Sequence, residues 1–269
     1  MTDLRPKLPA HALTTIHSFL RGHALATGLD GVVVGLSGGI DSALTARLAR
    51  DALGPSHVLG VLLPDGGYPR TLIEETEQYG RSLGIETRTM SIQPIVEAFQ
   101  ATLPSVNDRV ALGNTKARIR MTLVYAIARE ARRLVAGAGN KSELLLGYFT
   151  KFGDGGVDLL PIGDLYKTEV RALGKELGLP EPVLARPPTA GLWPGQTDEG
   201  ELGEAYVDID RVLRGAEELR PAEEIAAITG LPKDRVRSIL SRIEANRHKR
   251  RLPPVAKVGL RTVGIDWRE

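Results

Sequence analysis

Gly31-Val-Val-Val-Gly35-Leu-Ser-Gly-Gly-Ile40-Asp-Ser-Ala-Leu-Thr45-Ala-Arg-Leu-Ala49 decides the fold. The apolar run Gly31–Leu36 reads as a buried strand, and Ala43–Ala49 as a helix with one apolar face. Gly35, Leu36, Ser37, Gly38, Gly39, Ile40, Asp41 and Ser42 therefore form a strand-to-helix turn. Paired glycines let backbone pass close to a ligand, and the free N–H groups of a helix start favour an anion. Ser37 and Ser42 add hydroxyl donors. A carboxylate beside a bound phosphate repels it unless a divalent cation lies between them, so Asp41 is a candidate Mg²⁺ ligand. No Gly-Lys-Ser/Thr follows, so this is not a Walker loop. The alternative is a plain turn with Asp41 or Ser42 capping the helix.

Outward from this turn, strands and helices alternate. Leu8–Ala26 has helical spacing, and a helix at Asp41–Leu53 stops at Gly54-Pro55. His57–Leu63, Glu86–Ile92 and Arg133–Ala138 read as strands, with Leu159–Ile162 as a fifth. Helices are expected at Arg70–Leu83, Pro94–Thr102, Asn107–Arg132, Lys141–Leu146 and Leu165–Leu177. This order predicts a doubly wound parallel five-stranded sheet with helices on both faces, ligands binding beyond the carboxyl ends of the strands. Glu181–Gly200 reads as irregular. C-terminal helices are expected at Leu202–Leu213, Pro221–Thr229 and Lys233–Asn246, making residues 1–269 one domain with a helical extension over about 201–250.

The 269 residues are 42% hydrophobic and 25% charged, ordinary for a globular chain. A formal charge of +2 gives no field that argues for nucleic acid. No apolar run approaches the roughly 20 residues that span a bilayer, and Met1–Ala10 has no signal-peptide core, so a cytoplasmic location is expected. The absence of cysteine excludes disulfides, thiolate metal sites and a cysteine nucleophile on this chain.

Five more stretches are weighed for chemistry against a plainer alternative. Asn114 and Arg118 are four apart and share a helix face that could hold an anionic group, or could be a solvated basic face. Asn140 could cap a helix with Glu143 reaching back, or Glu143 could share a cation with Asp41. Gly147–Asp158 gathers Tyr148, Phe149 and Phe152 beside a glycine-rich turn, suited to stacking on a flat ring or to a simple hairpin. Pro187–Glu199 reads as a surface loop with a Trp anchor, and Arg247–Arg251 as a solvated basic run or a pyrophosphate contact.

Ser-Gly-Gly-x-Asp-Ser resembles the pyrophosphate-binding loop of the ATP pyrophosphatases. The ordered set Ser37–Ser42, Gly113–Arg118, Gly147–Gly156, Asp164–Val170, Pro188–Ala190, Gln196–Glu199 and His248–Arg250 resembles the ammonia-dependent NAD⁺ synthetases over roughly residues 10 to 255. That family joins ammonia to nicotinic acid adenine dinucleotide (deamido-NAD⁺), using ATP as co-substrate and Mg²⁺. The resemblance implies that Gly35 to Ser42, Lys167 and Thr189 contact ATP, and that Asp41 and Glu143 ligate Mg²⁺. It implies that Asn114, Arg118, Tyr148, Lys151, Asp158, His248 and Lys249 lie near the dinucleotide, whose site a homodimer completes. Asp41, Lys167 and Asp154 are the expected catalytic residues, Asp154 as the base that deprotonates ammonium. Glutamine-dependent relatives carry an amidase domain with a cysteine; a chain with neither should take free ammonia, or ammonia from a separate protein. Two other readings stand beside this one: another adenylating enzyme (GMP synthetase-like or tRNA-modifying) and a non-catalytic ATP-binding module.

Overall fold

The computed structural model describes residues 3–193 and 195–267. Helix α1 (Ala12–Thr27) leads into β1 (Val32–Gly35), α2 (Ile40–Leu53), β2 (Val58–Leu62), α3 (Arg70–Ser82) and β3 (Glu86–Thr89). Then follow α4 (Gln93–Thr102), α5 (Arg109–Glu130), β4 (Leu134–Ala136) and α6 (Lys141–Leu146). The rest is helical: α7 (Lys167–Glu176), α8 (Glu181–Ala185), α9 (Asp198–Leu202), α10 (Tyr206–Glu217), α11 (Ala222–Thr229) and α12 (Lys233–Ala245).

The described strands form a four-stranded parallel sheet in the order β3-β2-β1-β4. The expected fifth strand reduces to a single bridge, Ala136 to Leu159. Pro161 lacks the N–H that would extend the ladder, and the chain turns there, Gly163 N bonding Leu160 O at 3.0 Å. Two short helices, α8 and α9, occupy the ends of the stretch expected to be irregular. Helix α10 begins at Tyr206 rather than Leu202, because Gly203 ends α9 in the left-handed region at φ +78°.

Alternation along the strands gives the sheet two buried faces. Val32, Val34, Val58 and Leu62 pack with Leu20 of α1, Leu44 and Leu48 of α2, and Val170 and Leu173 of α7. Val33, Leu59 and Val61 pack with Val96 of α4 and with Val124 and Ile127 of α5. A separate cluster (Tyr206, Ile209, Leu213, Ile225, Val236 and Ile239) seats the C-terminal helices on Leu146 of α6. The strand order reverses between β1 and β4, so the loops after these strands diverge and leave a crevice at their carboxyl ends. Among the described residues no helix is long and apolar enough to cross a membrane.

Candidate active site

A cavity of about 530 Å³ opens at that crevice. Its floor is the turn after β1. Gly38 holds φ +72°, where an added Cβ would sit 2.6 Å from Leu72 Cδ1 and 2.7 Å from Thr76 Oγ1. Gly39 is the N-cap of α2 and no side chain bonds the first turn, so neither Asp41 nor Ser42 caps it. Ser42 Oγ instead closes the loop: it accepts from Ser37 N at 3.1 Å, meets Ser37 Oγ at 3.0 Å and donates to Gly39 O at 3.1 Å.

The chemistry converges on one ammonium. Lys167, the first residue of α7 and 1% exposed, places Nζ 2.5 Å from Asp41 Oδ2 and 3.1 Å from Glu143 Oε1. Asn140 Nδ2 donates to the other Asp41 oxygen at 2.9 Å. Burial alone would lower the lysine pKa; Asp41 and Glu143 outweigh it and the net shift is upward. Burial raises the Glu143 carboxyl, against the pull of Lys167. The capping box is also made: Asn140 Oδ1 accepts Glu143 N at 3.0 Å, and Glu143 Oε2 accepts Asn140 N at 3.3 Å. One oxygen of Glu143 thus holds the helix start while the other faces Lys167, so the capping bond does not withdraw the residue from the cluster. Two carboxylate oxygens already share one cation position. This hard-oxygen donor set fits Mg²⁺, which commonly takes one or two carboxylates and completes its shell with phosphate oxygens and water.

Asp154 stands in the cavity wall, its Oδ1 accepting Thr150 N at 2.8 Å. Solvent reaches it through the cavity, yet the surrounding protein removes enough bulk water to push its pKa up. Residues 150–156 fold as successive turns, Gly153 N and Gly155 N both bonding Thr150 O, rather than as a hairpin. Tyr148 and Phe149 line the cavity, whereas Phe152 is 57% exposed, so the three aromatics do not form one stacking surface. Tyr148 donates to Glu201 Oε2 at 2.7 Å.

Other expected residues separate into two groups. Asn114, Thr189 and Lys249 line the cavity. Asn114 Oδ1 accepts Thr150 Oγ1 at 2.7 Å, and Thr189 Oγ1 donates to Gln196 O at 2.7 Å. Lys249 Nζ donates to Gly147 O at 2.6 Å and Phe149 O at 3.0 Å, while Arg250 caps Leu144 O and Leu145 O. These two residues of the basic run therefore close the carboxyl end of α6 instead of facing solvent. Arg118, Lys151, Asp158 and His248 lie outside the cavity wall. Arg118 Nη2 reaches Lys151 O at 3.3 Å, and Lys151 Nζ donates to His248 O at 2.9 Å, so three basic residues make one exposed rim. Asp158 binds Tyr125 OH at 2.9 Å and Val135 N at 2.8 Å, a tie between α5 and β4.

Sequence reasoning missed several wall residues. On α5 the cavity face is Val110, Asn114, Ala117, Arg120, Met121 and Val124, so Arg118 sits one step off it and Arg120 is the half-buried guanidinium. Arg120 Nε donates to Leu63 O at 2.9 Å, while Nη2 makes no hydrogen bond and faces Asp65 Oδ2 at 3.9 Å. Arg118 lies one turn from Asn114, so i, i+4 spacing gave no warning that the cavity lies on the other side of Asn114, toward Ala117. Tyr68 donates to Ser37 O and Arg186 to Gly38 O, so two further cavity-wall side chains brace the phosphate-type turn. Leu62, Leu63, Pro64, Leu72 and Ile73 add an apolar wall whose use no local motif signals.

A parallel sheet with a free helix start, a lysine and two carboxylates at its switch point defines a nucleotide-binding α/β protein. The chain belongs to the NAD synthase family, whose model matches residues 12–253. The NH(3)-dependent NAD(+) synthetase of Methanosarcina acetivorans is 49% identical over 250 residues, covering 92% of this chain and 98% of that protein. The structure of NMN synthetase from Francisella tularensis superposes with TM-score 0.82 and 35% identity over 93% of this chain and 99% of that one. The NH3-dependent NAD synthetase from Campylobacter jejuni, in complex with the nitrate ion, gives TM-score 0.78 and 32% identity over 91% and 98%.

Proposed function

We propose that this chain is an ammonia-dependent NAD⁺ synthetase. It uses ATP to amidate deamido-NAD⁺ with ammonia, giving NAD⁺, AMP and pyrophosphate through an acyl-adenylate. The observation that carries the reading is the Lys167–Asp41–Glu143 cluster beside the Ser37–Ser42 turn. A carboxylate resists attack because the incoming nucleophile adds charge to an anion. Transfer of AMP converts it to a mixed anhydride with a good leaving group. The N–H groups of the turn, with Ser37 and Ser42, hold the departing pyrophosphate, and Lys167 neutralises charge as it leaves. Thr189 adds a phosphate contact. Asp41 and Glu143 would hold Mg²⁺, which supplies further neutralisation of that charge.

Asp154 takes a proton from ammonium, so that neutral ammonia attacks the adenylate. Its raised pKa and its access to the cavity support the role. Asn114, Tyr148 and Lys249 contact the dinucleotide from within the cavity. Arg118, Lys151 and His248 meet it at the rim, where a second copy of the chain completes the site. For Asp158 the geometry offers a structural tie rather than a substrate contact. The whole chain acts as one domain, in the cytoplasm.

The test is product analysis with ATP, Mg²⁺ and deamido-NAD⁺. NAD⁺, AMP and pyrophosphate should form with ammonium and not with glutamine. Nicotinic acid mononucleotide runs alongside as the competing acceptor, because one close structural relative is an NMN synthetase. Preference for the mononucleotide would replace the substrate while keeping the chemistry. ATP binding without turnover of any acceptor would refute the reading.

A further inference from the structure

Glu143 and Lys167 sit in the first turns of two separate helices, α6 and α7, and the cluster exists only while those turns keep their spacing. One side chain from the C-terminal helical layer joins them. Asp210 of α10 is fully buried. Its Oδ1 accepts Ser142 Oγ at 2.5 Å, and its Oδ2 accepts both Thr168 N and Thr168 Oγ1 at 2.8 Å. Ser142 Oγ in turn accepts Lys167 N at 2.9 Å. Together with Glu169, whose Oε2 accepts Tyr166 N at 2.9 Å, this gives each of the three backbone donors opening α7 a side-chain partner.

We propose that Asp210 is a positioning residue of the active site, its carboxylate locking the first turns of α6 and α7 together so that Glu143 and Lys167 meet around Asp41. The proposal rests on the reading of those three residues given above. A buried carboxylate is costly unless its oxygens are bonded, and here both are. Its bonds run to residues adjacent to the site: Ser142 precedes Glu143, and Thr168 follows Lys167. Asp210 touches neither cavity nor ligand position, so its effect reaches the chemistry through spacing alone. Small displacements of a positioned group cost about a hundredfold in rate.

The test compares Asp210→Asn and Ser142→Ala with Asp208→Asn, a control on the same helix whose carboxylate pairs with Arg211 at 3.3 Å. Rates are normalised to folded protein. Asp210→Asn should lower kcat at least about tenfold, with KM for ATP and deamido-NAD⁺ within about twofold. Amide exchange at Lys167 and Thr168 should accelerate while α11 stays protected. Ser142→Ala should lower kcat in the same way, and the double variant should lose little more than Asp210→Asn, because the groups act as a unit. If Asp210→Asn fails to fold, Ser142→Ala carries the test, since it removes one hydroxyl. A wild-type kcat per folded molecule in Asp210→Asn, or in Ser142→Ala where that substitutes, overturns the proposal. Absence of NAD⁺ formation by the wild-type enzyme overturns the functional reading instead.

Discussion

Replacing Asp154 by Asn separates the two half-reactions. The side chain has two duties: it accepts Thr150 N at 2.8 Å and, as proposed, takes a proton from ammonium. Asparagine keeps an acceptor for the Thr150 amide, so folding should lose only about 1 kcal/mol, the usual net worth of one hydrogen bond. It cannot take a proton. General bases contribute about 10²–10⁴ in rate, which is about 3–5 kcal/mol of barrier. The variant should form acyl-adenylate and pyrophosphate at near the wild-type rate in a single turnover and aminate at least about 100-fold more slowly. Hydroxylamine is largely neutral at pH 7 and needs no base, so it should restore much of the rate. The pH profile gives a second readout. Surrounding protein raises the Asp154 pKa above the ordinary 3.8. The base acts ionised, so amination should fall tenfold per unit as pH drops below that raised value, and the limb should vanish in the variant. Equal loss of adenylation and amination, or no recovery with hydroxylamine, would refute the assignment.

Three further perturbations address the cluster and its supports. Lys167→Met leaves Asp41 and Glu143 facing each other without their ammonium; breaking a buried pair this way should destabilise by about 3–5 kcal/mol, read by urea unfolding, and abolish pyrophosphate release. Asp41→Asn should abolish Mg²⁺-dependent pyrophosphate release while leaving the fold intact, as judged by circular dichroism; near-normal turnover would remove its ligand role. Gly147→Ala should cost about 2–5 kcal/mol by thermal unfolding, since it combines a left-handed φ of +64° with a Cβ placed 2.6 Å from Asn246 Cγ. A midpoint unchanged from wild type would show that Asn246 yields without strain.

The Asp210 clamp also gives the C-terminal helices a reason to exist beyond the apolar contacts of Tyr206 and Ile209 with α6. Those contacts seat α10 broadly. The hydrogen bonds to Ser142 and Thr168 set its register to within the tolerance the cluster needs. Parts of the chain 40 residues or more apart thereby share one catalytic geometry.

Local signals were enough for much of this molecule. Strand–turn–helix at Gly31–Ala49 is legible because buried parallel strands are short and apolar and because glycines open the helix start. Ser37, Asp41 and Lys167 belong to ordered motifs, and their family follows from that order. Other features depend on distances no local rule contains. Leu159–Ile162 has strand composition, yet Pro161 and the following turn leave it one bridge. Arg118 and Arg120 look alike in the helix pattern, and only the docking of α5 on the sheet decides that Arg120 lines the cavity. Lys249 and Arg250 read as a charge run until Gly147 and Leu144 bring carbonyls to them. Asp210 gave no signal at all, because a buried carboxylate acquires meaning only from donors far away in the chain. Sequence by itself nominated candidate residues for phosphate, metal and nucleotide, since such candidacy follows from side-chain chemistry and local backbone. Tertiary structure alone decided which of them share a cavity, because that depends on packing between elements distant in sequence.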